Sequence, residues 1–131
     1  MKKRKIESQA LLSTLWIFVL FNMIFRDLHQ FANEGFIEEL MSQKIKEELV
    51  LVFGFILEIP IAMVLLSRIL NDKVNKWANT VASIITLLGL LSTLPSADMD
   101  DVFFTIVESA ALFAIIVIAW KLPLQGKTQL Q

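Results

Sequence analysis

Two glutamates interrupt stretches that otherwise carry no charge. Glu58 stands within residues 49–67 and Glu108 within residues 102–120. An ionisable group inside a membrane-crossing helix is costly, so it usually faces the bundle interior and marks a ligand, proton or ion site. Glu58 lies roughly 15 Å into its run at about 1.5 Å per residue, near the midplane. Glu108 follows Asp101 by seven residues, which sets it roughly 10 Å below the membrane surface. Neither side chain is long enough to snorkel to water as a lysine would.

Each acid sits on a stripe with helical spacing. Leu51, Gly54, Glu58, Ala62 and Leu65 share one face of the second run, and its small residues suit a close helix approach. Asp101, Thr105, Glu108, Leu112 and Ile115 share a face of the fourth. The first run offers Leu15, Val19, Asn22, Arg26 and His29, and the third offers Asn79, Ser83, Thr86 and Thr93. The four stripes are expected to meet at one axis. Arg26 can then reach down to Glu108 as Glu108 reaches up, with Asn22 bridging below, and the pair would keep Glu108 ionised. Glu58 has no cation at its own level, so it is expected to act as a protonated hydrogen-bond donor or a proton-exchanging group. Pro60 removes a helix bond to the Ile56 carbonyl, which would bend the helix beside Glu58 and free that carbonyl for a cation. Thr86 adds a hydrogen-bonding hydroxyl. The plainer alternative is that these groups only hold helices together, because interhelical hydrogen bonds are common and individually weak.

The elements that must position these residues follow from hydropathy. The chain has 131 residues, 56% of them hydrophobic, and a mean hydropathy of +0.65. Long runs at about 8–25, 49–67, 77–95 and 102–120 are each near the ~20 residues a helix needs to cross hydrocarbon. Segments such as Ile115-Ile116-Val117-Ile118 do not alternate, which excludes barrel strands. The reading is an all-α, up-down-up-down four-helix membrane bundle in a single domain. Met1-Lys2-Lys3-Arg4-Lys5 before an apolar stretch resembles a secretory signal, but no small-residue cleavage site follows, so an uncleaved first helix is expected. There are no cysteines, which excludes disulfides and thiol chemistry. A net charge of −1 gives no footing for nucleic acid. No zinc spacing, nucleotide loop or serine–histidine–acid arrangement occurs, and neither a metal nor a cofactor is expected.

Nine basic residues flank one side (Lys2, Lys3, Arg4, Lys5, Arg68, Lys73, Lys76, Lys121 and Lys127) and three the other (Arg26, Lys44 and Lys46). The imbalance places both termini in the cytoplasm of a plasma, or inner, membrane protein. Trp77 and Trp120 then fall together at the inner interface. Between the first two spans, a turn at Asn33-Glu34-Gly35 precedes Phe36, Ile37, Leu40, Met41 and Ile45 at helical spacing. This predicts a short amphipathic outer helix, lying on the bilayer, packed over the bundle end, or serving as a lid. His29, among nearby acids, reads as a surface residue rather than a metal ligand, with a pH-sensitive role in a lid as the alternative.

Leu11-Leu12-Ser13-Thr14-Leu15-Trp16-Ile17-Phe18 followed by Asn22 and Arg26-Asp27-Leu28-His29 resembles an uncharacterised family of small four-helix prokaryotic membrane proteins. Leu57-Glu58-Ile59-Pro60-Ile61-Ala62-Met63, Asn75-Lys76-Trp77-Ala78-Asn79 and Asp100-Asp101-Val102-Phe103-Phe104 carry the same resemblance through nearly the whole chain. The four-helix plan is also distantly similar, in topology alone, to DoxX-like membrane proteins. Neither resemblance implies an activity.

Three functions fit these residues. The first is a non-enzymatic protein that holds a proton, an ion or a small lipophilic or cationic ligand in an outward-opening cavity, with Glu58, Glu108, Arg26, Asn22 and Thr86 as its site. Transport through so narrow a bundle would call for a homodimer or larger assembly. The second is an intramembrane enzyme on a lipid-like substrate, with Glu58 and Glu108 as acid and base. The third is an accessory subunit whose acids fix helix register.

Overall fold

In the computed structural model, residues 7–96 and 98–129 are described. They form α1 (Ser8–Gln30), α2 (Phe36–Ser42), α3 (Glu47–Ile69), α4 (Asp72–Ser92), a 3-10 turn (Leu94–Ser96) and α5 (Met99–Gln129), with no strand among them. The basic cluster at Lys2, Lys3, Arg4 and Lys5 lies outside the described residues, as does the side chain of Lys127. Four helices, α1, α3, α4 and the Met99–Leu122 part of α5, are long and apolar enough to cross a membrane. They pack in a ring: α1 on α3, α3 on α4, α4 on α5, and α5 back on α1. The chain therefore goes up, down, up and down. One end of the bundle carries α2 and the α4–α5 turn. The other, the terminal end, carries the α3–α4 turn.

The helices outrun the charge-free stretches because charged residues are themselves compatible with helix. Asn71 accepts the Val74 amide at 3.0 Å through Oδ1, which starts α4 at Asp72, five residues before Trp77. Pro95, which has no amide hydrogen to donate, falls in the 3-10 turn that follows α4. Gly35 has φ of 80°, a left-handed conformation that an L side chain adopts only with strain, and it sets the sharp entry into α2. α2 ends at Ser42, so Ile45 is not part of it.

The core is small. Leu12, Trp16 and Val19 of α1 meet Met63 of α3, Ala82 and Leu90 of α4, and Ala111, Leu112, Ile115, Ala119 and Leu122 of α5. Phe18, Phe21, Phe25, Phe55, Phe103 and Phe113 are exposed instead. In water such a surface would drive aggregation. In lipid it meets a solvent of its own polarity, and helix association then rests on packing and polar contacts. Trp77 and Trp120 stack edge to face at 5.6 Å, with Lys76 Nζ 3.9 Å above the Trp120 ring. The two indoles thus share one level at the terminal end.

α3 is the irregular member of the ring. Pro60, Met63 and Ser67 face the bundle, but every residue from Glu47 to Phe55 is exposed. Only the terminal-end half of this helix is packed.

Candidate functional site

Polar residues inside the bundle fall into two groups. The first lies toward the terminal end and is centred on Asn79. Asn79 Oδ1 accepts Trp16 Nε1–H at 2.7 Å and the Ser67 hydroxyl at 3.2 Å. Asn79 Nδ2 donates to the Asn75 carbonyl at 2.9 Å and to Asn75 Oδ1. The Asn75 amide in turn donates to the Ser67 carbonyl at 2.7 Å, in the last turn of α3, where helix carbonyls lack partners of their own. Ser13 donates to the Val64 carbonyl at 2.7 Å, and Arg68 Nε donates to Ser13 at 3.3 Å. Trp16, Ser13, Ser67, Asn75 and Asn79 are all buried. The amide of Asn79 uses both its lone-pair positions and both its hydrogens. This group is closed and needs no ligand.

The second group lies toward the α2 end. Arg26 Nη1 stands 3.3 Å from Glu108 Oε2, joining α1 to α5 as their register predicted. Arg26 Nε is 3.9 Å from Asp27 Oδ1, so the guanidinium sits between two carboxylates. The Glu108 side chain is 0% exposed and that of Arg26 13%. Gln30 donates to Asp101 Oδ1 at 3.0 Å, and His29 Nε2 lies 3.7 Å from Asp100 Oδ2 on the exposed rim. Above the pair, a cavity of about 540 Å³ is lined by Arg26 and by five carboxylates: Asp27, Glu34, Glu39, Asp98 and Asp101. Phe36, Glu39 and Leu40 of α2 form part of its wall.

This group is not closed. Glu108 Oε1, Thr105 Oγ1 and Ser83 Oγ are buried without a hydrogen-bond partner. Ser83 lies nine residues before the end of α4, and Glu108 nine residues after the start of α5. On two packed antiparallel helices joined by a short turn, both stand roughly 13 Å from that turn. Thr105 lies one turn from Glu108 on the same inward face. A carboxylate oxygen and two hydroxyls are thus left unpartnered at one level of the bundle, and oxygen atoms of these kinds suit a proton, a water or a hard cation. Leaving each such atom unpaired costs about 1–3 kcal/mol. No group of three or more histidine, cysteine, aspartate or glutamate side chains arranged to hold a metal occurs among the described residues.

The other expected site residues are not drawn into this cluster. Asn22 donates to the Phe18 carbonyl of its own helix at 2.9 Å and does not bridge Arg26 and Glu108. Thr86 is buried but donates to the Ala82 carbonyl at 2.8 Å. Glu58 is exposed, about half a turn away from the inward-facing Pro60, Met63 and Ser67. A Cβ placed at Gly54 would meet nothing within 4 Å, so the small residues beside Glu58 do not mark a contact within the bundle. The second span therefore turns its polar stripe outward. With Glu58 exposed and Glu108 buried, the two acids do not form the facing pair that acid–base chemistry would need. Pro60 itself is buried, on the opposite face from Glu58.

Residues absent from the expected site include Ser83 and Thr105, which lay on the stripes, and the Trp16–Asn79–Asn75–Ser67 network. The four-residue spacing of Asn75 and Asn79 was the readable signal for that network. No curated protein and no solved structure matches the chain. A family of unknown function, DUF6326, matches residues 2–125, nearly the whole length, and the chain belongs to it.

Proposed function

We propose that this is a small multi-pass protein of a prokaryotic plasma membrane, with cytoplasmic termini, that takes up a proton or small cation at Glu108 from the outer face. The buried and uncompensated Glu108 Oε1 is the observation that carries this reading, with Thr105 and Ser83 as two further buried hydroxyls left without a partner. The orientation is supported by the excess of lysine and arginine on the terminal-end side. Five carboxylates around the cavity concentrate cations at its mouth. Arg26 at its floor repels them unless it is displaced. A proton or cation reaching Glu108 weakens the hold of that carboxylate on Arg26, and Asp27 is the alternative partner. Loading the site would thus move the guanidinium toward the cavity, whose wall includes α2. That couples occupancy to the shape of the outer surface.

Native mass spectrometry of the protein released from mild detergent compares the wild type with Glu108→Gln. Retention of a small cation by the wild type and its loss from the variant support the cation form of the proposal. Equal occupancy in both would remove Glu108 from the site.

A further inference from the structure

Glu58 is the middle residue of the 23-residue α3, eleven positions from either end. In a spanning helix that is the depth at which a carboxyl group is most costly. Its exposed neighbours at helical spacing are Leu51, Phe55, Ile61 and Leu65, which offer neither a cation nor a donor. α3 packs on α1 and α4 through the opposite face. Among the described residues, no side chain hydrogen-bonds or pairs with this group.

We propose that a second copy of the chain covers this face, pairing α3 with α3 in parallel about a two-fold axis along the membrane normal. Symmetry makes the argument specific. A two-fold along the normal puts the same residue of both copies at the same depth, so the polar group facing Glu58 is the other Glu58. The two side chains then offer each other polar atoms at a depth where hydrocarbon offers none. Gly54, one turn away and open on the side where a Cβ would project, lets the backbones approach closely. The half of α3 from Glu47 to Phe55, which makes little use of its own bundle, supplies the rest of the contact. This pairing is independent of the Glu108 site, which lies on the inner face of α5.

The chain has no cysteines, so single introduced thiols report the contact without background. In phosphatidylcholine vesicles, mild oxidation of Leu51→Cys, Phe55→Cys and Leu65→Cys should give disulfide-linked dimers. Ile106→Cys and Phe113→Cys, on the exposed face of α5, should not. Adding Glu58→Ala to Phe55→Cys should weaken self-association on the order of tenfold, the loss of about one or two interhelical hydrogen bonds. Glu58→Gln, whose amide both donates and accepts, should retain most of the yield. Absence of cross-links on α3, equal yields on α5, or a yield unchanged by Glu58→Ala would overturn the proposal. Because Glu58 is exposed, its replacement leaves the fold of each copy intact, and the wild-type thiol map stands without it.

Discussion

The two polar groups inside this bundle differ in completeness more than in burial. Both hydrogens and both lone pairs of the Asn79 side-chain amide have partners, and three helices are tied at one level. At Glu108, one oxygen is paired with Arg26 while the other has no partner, and the hydroxyls of Thr105 and Ser83 are unpartnered too. Helices in lipid gain little from hydrophobic burial against one another, so satisfied polar contacts carry much of their association. A closed network fits that task. A half-closed one costs stability where it stands, and proteins usually tolerate such a cost where function requires it. The contrast fits a structural role for the terminal end and the proposed site at the α2 end.

If that division holds, substitutions at the two ends fail in different ways. Asn79→Leu should have the largest effect on stability, about 3 kcal/mol, because it strands the Trp16 indole, the Ser67 hydroxyl and the Asn75 amide together. Thermal unfolding in detergent measures it, and a loss below about 1 kcal/mol would break the structural assignment. Arg26→Leu should cost about 2 kcal/mol by leaving Glu108 buried without its cation, and Arg26→Leu with Glu108→Leu should recover most of that loss. A double-mutant cycle with no recovery would show that the pair is not coupled. Trp16→Phe should cost about 1 kcal/mol, since Asn79 Oδ1 keeps the Ser67 hydroxyl. Glu108→Gln should cost less than about 0.5 kcal/mol, because the amide still accepts from Arg26 and gains donors for its surroundings. Its effect should fall on occupancy of the site instead.

Much of this architecture was legible from residue order. Charge-free runs gave four helices, and Asn33-Glu34-Gly35 gave the turn before α2. The Arg26–Glu108 pair followed from depth, since a helix rising to Arg26 and one descending to Glu108 reach the same level near one end. The facing of α3 was not legible. In water a polar stripe marks the outside, but in lipid both faces of a helix are apolar, and a glutamate among small residues looks like a packing seam. The structure turns that seam outward and seats Pro60, Met63 and Ser67 inside. The Asn79 network was half hidden for a related reason. Ser67, Asn75 and Ser13 stand near span ends, where polar residues normally meet water, and only three-dimensional packing shows that they are buried. Residue order suggests Asn22 as a bridge and Thr86 as a free hydroxyl for the site, whereas each donates one turn back along its own helix. That local bond competes with any longer reach.

The central claim is that the free oxygen of Glu108 makes it an exchangeable site and not a fixed strut. Infrared difference spectroscopy of the protein in lipid vesicles, on lowering pH or adding sodium, reads carboxyl groups directly. A protonated-carboxyl or shifted carboxylate band should change in the wild type, persist in Glu58→Gln and vanish in Glu108→Gln. A spectrum in which Glu108→Gln and wild type change alike, or neither changes, would contradict the account.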